Sequence, residues 1–354
     1  MVSAILYLKN KFCNILYHKC LRFHSMQQKN ISTFLKILVI AFITLVGCMI
    51  VFRNHFIFGT VLIIGRWGFL LVGLLLLFLT SNRITPKHLQ YFLLGSLLLI
   101  CIEFVFTKLK EARPKAISSN TELTFMTYNL FFKNKNPDVI LNQIKETNPD
   151  LLIVQELTPA WAGILLKSLK ETYPYKKIYV DKGTHGIGVY SKYKLLNDTL
   201  LLNESKRPFA QIVAVRVQDK KIQIINPHLA SPAAAVEHPE NFLSLFSSNY
   251  TLREKQFKHI NLAVESNPCD ASILIGDLNT TLYEPIYRNL RSTWVDVFNE
   301  VGEGSNKTFP NTSRSAPFLT LDYILIKGNA TPVSAKVLSS GSSDHLALIG
   351  KVKI

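Results

Sequence analysis

The sequence predicts an α/β domain of two packed β-sheets covered by helices, carried behind three membrane-spanning helices. Long apolar runs are confined to the first 110 residues or so. Beyond residue 121, apolar runs of strand length alternate with helical stretches, which is the pattern of packed sheets with helices laid over them. Polar residues of useful chemistry recur at the ends of those short runs, where loops present them and buried strands hold them in place.

The apolar runs are Phe34–Phe52, Phe56–Leu79 and Leu89–Phe106. A spanning helix needs roughly 20 apolar residues, so each run is read as one. The first begins too far into the chain, is too long and lacks the small-residue cleavage site of a signal peptide. Arg66 falls within the second run. A charge at bilayer depth costs roughly 2.5–3.5 kcal/mol on insertion scales, so Arg66 is expected to face protein or water, with Glu103 as its partner, or else to mark a short, irregular span.

The 354-residue chain has a formal net charge of +16. Residues 1–113 hold 13 Lys/Arg against 2 Asp/Glu, so most of the excess flanks the apolar runs and reads as charge that orients a membrane protein. Six Lys/Arg lie before the first run or at its edge, and Arg83 and Lys87 separate the second from the third. Arg53, Lys108, Lys110, Arg113 and Lys115 would lie on the other side. The balance predicts a multi-pass protein of the cytoplasmic (inner) membrane, N-terminus inside and C-terminal domain outside. Counted from Met26, an alternative start, the ratio is four to five and the flanking charges no longer choose an orientation. Only Cys269 of the five cysteines lies beyond residue 114. The C-terminal domain can form no internal disulfide, which suits either compartment. The resulting division is a basic segment 1–33, an anchor 34–110, a polar linker 111–121 and a C-terminal domain 122–354.

Within that domain, Leu123–Tyr128 reads as a strand. Asn136-Pro137-Asp138 opens a helix, with Asn as N-cap and Pro at the first helical position, and Thr158-Pro159 repeats the device. Leu151–Val154 is continuously apolar, as in a strand buried on both faces. Gly186–Ser191, Gln211–Val217 and Lys221–Asn226 are further strands, the last two joined by a hairpin turn at Lys220–Lys221. Glu240–Ser266 is mostly helical. Ser272–Ile275, Leu321–Ile326 and Ala347–Ile354 complete the strands. No internal repeat or low-complexity tract occurs.

Six strand-linked positions carry the chemistry: Tyr128-Asn129, Gln155-Glu156, Asn226-Pro227-His228, Asp277-Leu278-Asn279, Asp322 and Asp344-His345. Such a set suits a hard cation and a phosphate, because Mg²⁺ takes oxygen ligands, often one or two carboxylates with waters and substrate phosphate. Glu156 is the leading ligand. Asp277 is placed to orient and deprotonate an attacking water, with Asn279 fixing that water and donating to a phosphoryl oxygen. His345, oriented by Asp322, would stabilise developing charge. His228 would donate to phosphoryl oxygens or assist the leaving group. Arg253 and Gln256 share a helix face from which an Arg reaches a phosphate, or which is simply solvated. His185, in a Gly-rich turn, is expected to be an exposed loop histidine. Trp294 is expected in the core, while Tyr283, Phe309 and Phe318 either fill core or line a lipid-facing rim.

In order and spacing, Met126-Thr127-Tyr128-Asn129-Leu130, Asp150–Glu156, Pro227-His228-Leu229, Gly276-Asp277-Leu278-Asn279, Leu321-Asp322-Tyr323-Ile324 and Ser343-Asp344-His345 resemble the endonuclease/exonuclease/phosphatase superfamily. That superfamily includes apurinic endonucleases, DNase I, inositol polyphosphate 5-phosphatases and bacterial sphingomyelinases. The resemblance covers about residues 122–354. It implies a four-layered α/β/β/α sandwich (DNase I-like), Mg²⁺ or Mn²⁺, and Asn129, Glu156 and Asp344 around the metal and its water. Phe131 stands where some nucleases of the family carry an acid, and Thr320 where many members carry Arg. With its three-helix anchor the chain is most similar to the membrane-bound bacterial branch, some of whose members are thought to act on lipid-linked phosphates such as undecaprenyl pyrophosphate.

Three functions stay open at this point. One is a membrane-anchored phosphoesterase whose partners are the lipid bilayer and a lipid-linked or membrane-proximal phosphate, since tethering concentrates a two-dimensional substrate. The second is an extracytoplasmic nuclease acting on nucleic acid. The net +5 of residues 114–354 and the lack of a basic run near the motifs count against it. The third is a non-catalytic scaffold, against which the joint presence of Glu156, Asp277, Asn279, Asp322 and His345 counts.

Overall fold

The computed structural model describes residues 30–52, 68–79, 87–109, 111–115, 117 and 121–354. The chain divides into two compact units, Met1–Leu109 and Lys110–Ile354.

In the first unit, α1 (Asn30–Val51) is 22 residues long with a hydropathy of 2.7. Among the described residues it is the one helix long and apolar enough to cross a membrane. This corrects the expectation of three spans. The described part of α2 (Gly68–Leu79) rises about 18 Å at 1.5 Å per residue. In α3 (Lys87–Leu109) the apolar stretch is Gln90–Ile102. Arg66 and the side chain of Glu103 lie outside the described residues, and with them their expected pairing. Val39, Phe42, Val46 and Met49 of α1 follow helical spacing and pack on Leu76, Leu93, Leu97 and Ile100. Phe34, Ile37, Leu71, Phe78, Leu94 and Leu98 face outward, so these helices are apolar outside as well as within, as suits lipid rather than water.

The second unit contains β1 (Glu122–Asn129), α4 (Pro137–Thr147), β2 (Leu151–Gln155), α5 (Pro159–Leu169), β3 (Tyr175–Tyr179), β4 (Ile187–Ser191), β5 (Leu195–Leu202), β6 (Pro208–Val217) and β7 (Lys220–Pro227). There follow α6 (Ala233–Glu237), α7 (Phe242–Glu265), β8 (Ala271–Asp277), α8 (Pro285–Arg291), β9 (Val295–Asp296), α9 (Val297–Val301), β10 (Gly302–Glu303), β11 (Asp322–Gly328), β12 (Thr331–Val337) and β13 (Leu348–Lys353). One sheet runs β10-β12-β13-β1-β2-β4-β3 and the other β5-β6-β7-β8-β11-β9. Strands alternate their side chains between two faces. Leu123, Phe125, Leu151 and Ile153 of the first sheet therefore meet Val213, Val215, Ile222, Ile224, Ile273, Ile275 and Ile324 of the second in one buried core. Met126, Tyr128, Leu152 and Val154 point the other way, onto Ile140 and Ile144 of α4 and Trp161 and Leu165 of α5. On the far side, Tyr287 of α8 packs against Tyr323 of β11 with ring centroids 5.3 Å apart. The result is a mixed α/β sandwich of two sheets.

Strands β3, β5 and β12 have no counterpart in the apolar pattern. They expose alternate polar residues such as Lys176, Asn197 and Ser334, and β3 and β5 form sheet edges. An edge strand needs no continuous apolar run. The hairpin turn between β6 and β7 is Gln218-Asp219, with Gln218 at φ 52°, rather than Lys220–Lys221, which begin β7. The start of the segment expected as a polar linker is held on the domain. Ala112 N–H donates to Arg291 O at 2.6 Å, and Arg291 pairs with Glu111 at 3.3 Å.

Candidate active site

Where the two sheets face each other, their inner surfaces turn from apolar to polar at one end. Along β1 the residues after Leu123 and Phe125 on that face are Thr127 and Asn129. Along β2, Gln155 follows Ile153. Along β7, Asn226 follows Ile224, and along β8, Asp277 follows Ile275. β1 and β2 are parallel with Asn129 opposite Gln155. β7 and β8 are parallel with Ile225 opposite Leu274. All four strands therefore deliver their C-terminal polar residues to the same end. Antiparallel β11 enters there, with Asp322 opposite Asp277.

A buried amide layer joins the sheets beneath the site. Gln155 Nε2 donates to Asn226 Oδ1 at 2.8 Å, and Asn226 Nδ2 donates to Val154 O at 3.1 Å and Gly188 O at 3.2 Å. Gln155 also meets the Thr127 hydroxyl. Above it lies a ring of titratable groups. His345 Nδ1 and Asp322 Oδ2 are 2.8 Å apart. His345 Nε2 is 3.8 Å, and His228 Nε2 3.6 Å, from Asp277 Oδ2. Asp277 Oδ1 accepts the Asn279 backbone N–H at 2.8 Å, and Asn279 sits in the left-handed region at φ 46°. Asn129 Nδ2 bridges Asp277 Oδ2 at 3.1 Å and Glu156 Oε1 at 3.2 Å. Glu156, at φ 57°, accepts the Phe132 backbone N–H at 2.9 Å and approaches His228 Nε2 at 4.0 Å. Ser343 hydroxyl donates to Asn129 O at 2.7 Å and accepts the His345 N–H at 3.1 Å, which ties the Asp344-His345 turn to the end of β1. Phe309 lays its ring 4.9 Å from that of His345.

Burial first, and then Asp322, raise the Asp277 carboxyl above the usual range, against the lowering pull of His345 and His228. Burial alone would lower His345, but Asp322 and then Asp277 outweigh it and push the imidazole up to about 10. Burial, and after it Glu156, raise Asp344. Asp277, Asp322 and His345 offer ligand atoms within 4.8 Å of one another, but two of those groups already hold each other. The carboxylates of Glu156 and Asp344 are hard oxygen donors of the kind a small divalent cation takes.

The structure thus gathers Asn129, Glu156, His228, Asp277, Asn279, Asp322, Asp344 and His345 at one end of the sandwich. Two details differ from the sequence expectation. Asn129 turns its amide nitrogen, not its oxygen, to the carboxylates, while its oxygen accepts the Phe131 N–H at 3.0 Å. Asn279 commits one amide hydrogen to Leu229 O at 2.9 Å. Arg253 is a correction. Its side chain is fully buried and ion-paired with Glu284, and it touches Ala230 O at 3.5 Å, so it braces the loops after β7 and β8 instead of reaching a phosphate. Glu284 in turn accepts the Thr281 N–H at 2.8 Å. His185 is a second correction. It is half-buried, hydrogen-bonds the Pro208 backbone, and is lowered by burial and then by the nearby His228. Trp294 is buried, while Tyr283 and Phe318 are exposed. Sequence reasoning did not assign roles to Gln155, Asn226 and Ser343. Each stands inside a recognised motif, and that adjacency was the available signal.

The profile of a family described as Endonuclease/Exonuclease/phosphatase family matches residues 126–345. No curated protein matches. Among solved structures, that of D. rerio TDP2 complexed with single strand DNA product superposes with a TM-score of 0.53 at 17% identity, covering 66% of this chain and 100% of that one. Truncated Caenorhabditis elegans TDP2 gives 0.52 at 17%, covering 67% and 99%. An endonuclease/exonuclease/phosphatase family protein from Leptotrichia buccalis C-1013-b gives 0.51 at 16%, covering 66% and 100%. At such identities the likeness is one of fold.

Proposed function

Because this chain belongs to the Endonuclease/Exonuclease/phosphatase family, and so to the metal-dependent hydrolases of phosphoester bonds, we propose that it is a membrane-tethered enzyme hydrolysing a phosphate ester or pyrophosphate carried at a lipid surface. The observation that carries the catalytic part is the run of contacts from Asp322 through His345 and Asp277 to His228, with Glu156 and Asn129 beside it. The tether rests on α1, long and apolar enough to cross a membrane.

In this reading Asp277 accepts the proton of the attacking water, and its raised pKa makes it the better base. The Asn279 backbone and the Asn129 amide hold its carboxylate in place. The water oxygen forms the new bond to phosphorus as the bond to the leaving oxygen breaks. His345, kept protonated by Asp322, faces the charge that builds on the phosphoryl oxygens. His228 donates a proton on the leaving-group side. Glu156 and Asp344 would hold Mg²⁺ or Mn²⁺, with Asn129 orienting Glu156; the ion supplies charge stabilisation and a template for the phosphate.

The test uses the full chain in detergent. Bis-p-nitrophenyl phosphate, an isoprenoid pyrophosphate, a phospholipid and single-stranded DNA are offered with Mg²⁺ and with chelator. Metal-dependent turnover, lost in Asp277→Asn, with preference for the lipid-borne phosphates, is expected. Preference for DNA would overturn the substrate class, and full activity of Asp277→Asn would overturn the mechanism.

A further inference from the structure

Helix α7 forms the crossover between the parallel strands β7 and β8, so its N-terminus lies at the site end of the sheets. It is 24 residues long, about 36 Å at 1.5 Å per residue, against about 23 Å for the seven residues of β8 at 3.3 Å each. Arg253 and Gln256 fix its level, since both touch Ala230 in the loop that follows His228. Phe242 lies 11 positions before Arg253, about 16 Å further along the axis. The first turn of α7, ahead of the buried Tyr250, therefore lies beyond the level of Ala230 on the site side.

The two halves differ in chemistry. From Phe242 to Leu252 there is no Asp, Glu, Lys or Arg, whereas Arg253, Glu254, Lys255, Lys258 and Glu265 follow. A solvated overhang usually carries charge, yet the first two turns of this helix carry none after Glu240. Leu243 is 67% exposed and Phe242 41%, with Phe242 stacked on Phe246 at 5.5 Å. Ser244, Ser247, Ser248, Asn249 and Thr251 are among the polar residues of this first half, uncharged groups that suit the headgroup layer.

We propose that this tip of α7 docks into the interfacial layer of the lipid bilayer and holds the site mouth against lipid-borne phosphate. The proposal rests on the membrane-surface reading above for its substrate, but the docking stands apart from it. A bilayer is favoured over a protein partner on size. A stable protein interface buries about 800 Å² on each side, more than two exposed side chains at a helix tip supply. Burial of a few large apolar groups at the headgroup boundary is how a tethered protein rests on a membrane surface; Glu237 and Glu240 flank the tip, so the contact is apolar rather than electrostatic, with α1 as the tether.

The full chain is reconstituted in phosphatidylcholine/phosphatidylglycerol vesicles with photoreactive p-benzoylphenylalanine in place of Leu243, or of Lys258 on the charged half. Adducts with lipid at position 243 and not at 258 are expected. Adducts with a second copy or another protein at 243, or equal lipid labelling at both positions, would overturn the docking. In parallel, the Phe242→Asp, Leu243→Asp double variant should raise KM for a lipid-borne phosphate about tenfold and leave turnover of bis-p-nitrophenyl phosphate within twofold. Equal loss on both substrates would mean a structural defect and refute the docking role. Lipid adducts without any turnover of lipid phosphate would sink the substrate assignment while leaving the docking intact.

Discussion

Gly276 stands immediately before Asp277, packed against Pro227 of β7. A Cβ there would meet Pro227 O at 2.4 Å, Pro227 Cδ at 3.0 Å and Gln155 Nε2 at 3.1 Å. The nearest of these is backbone in a paired strand, so no side-chain rotation relieves the clash. Gly276→Ala should drive β7 and β8 apart by about 1 Å at the level of the site. Overpacking of this kind costs about 1–3 kcal/mol, or a fall in Tm of about 3–10 °C for a domain of this size. The catalytic effect should be larger. His228 and Asp277 are bridged just one residue on, with their side chains 3.6 Å apart, and a 1 Å misplacement can cost about a hundredfold in rate. The assay is hydrolysis of bis-p-nitrophenyl phosphate with Mg²⁺, beside a thermal melt of the same preparation. A variant with wild-type Tm and kcat within twofold would refute both the closeness of the strands and the role given to the His228–Asp277 pair.

Arg253→Ala should destabilise by about 3–5 kcal/mol, because it leaves Glu284 buried without its cation; the companion Arg253→Met, Glu284→Leu variant should recover most of that loss in a chemical denaturation series. If Arg253→Ala instead raised KM at unchanged stability, the guanidinium would be a substrate group after all. Asp322→Asn should lower the His345 pKa from about 10 toward the value burial alone dictates. In chelator, the raised pKa of the folded wild type is a stability contribution fully present below the unfolded value near 6.5 and lost as pH rises through about 10. Denaturation midpoints measured between pH 7 and 10 should therefore fall less steeply in Asp322→Asn than in wild type, and parallel slopes would count against the pairing.

Much of the candidate site was legible residue by residue. Asn129, Glu156, His228 and Asp277 each sit where an apolar run stops, and Asp322 and His345 where one is about to begin, the places where a buried strand and a loop exchange the chain. The long helix expected over Glu240–Ser266 and the two Pro-opened helices were legible because such signals are local, although only Thr158 caps with its side chain and Asn136 does not. Sequence alone also indicated that apolar helices precede the domain, while the structure decided that, among the described residues, one of them is long and apolar enough to cross a membrane. The tertiary structure decided what depends on pairing across the chain. Arg253 looks like a surface cation until Glu284, 31 residues away, is found beside it. Gln155 and Asn226, 71 residues apart, look like strand-end amides until the two sheets close and join them. His185 looks like a loop histidine until Pro208 and His228 flank it. Strands β3, β5 and β12 owe their existence to neighbours whose hydrogen bonds they complete, not to apolar runs of their own. Local physics writes itself into adjacent residues, while a buried partner, a shared proton or an edge pairing exists only once distant segments have met.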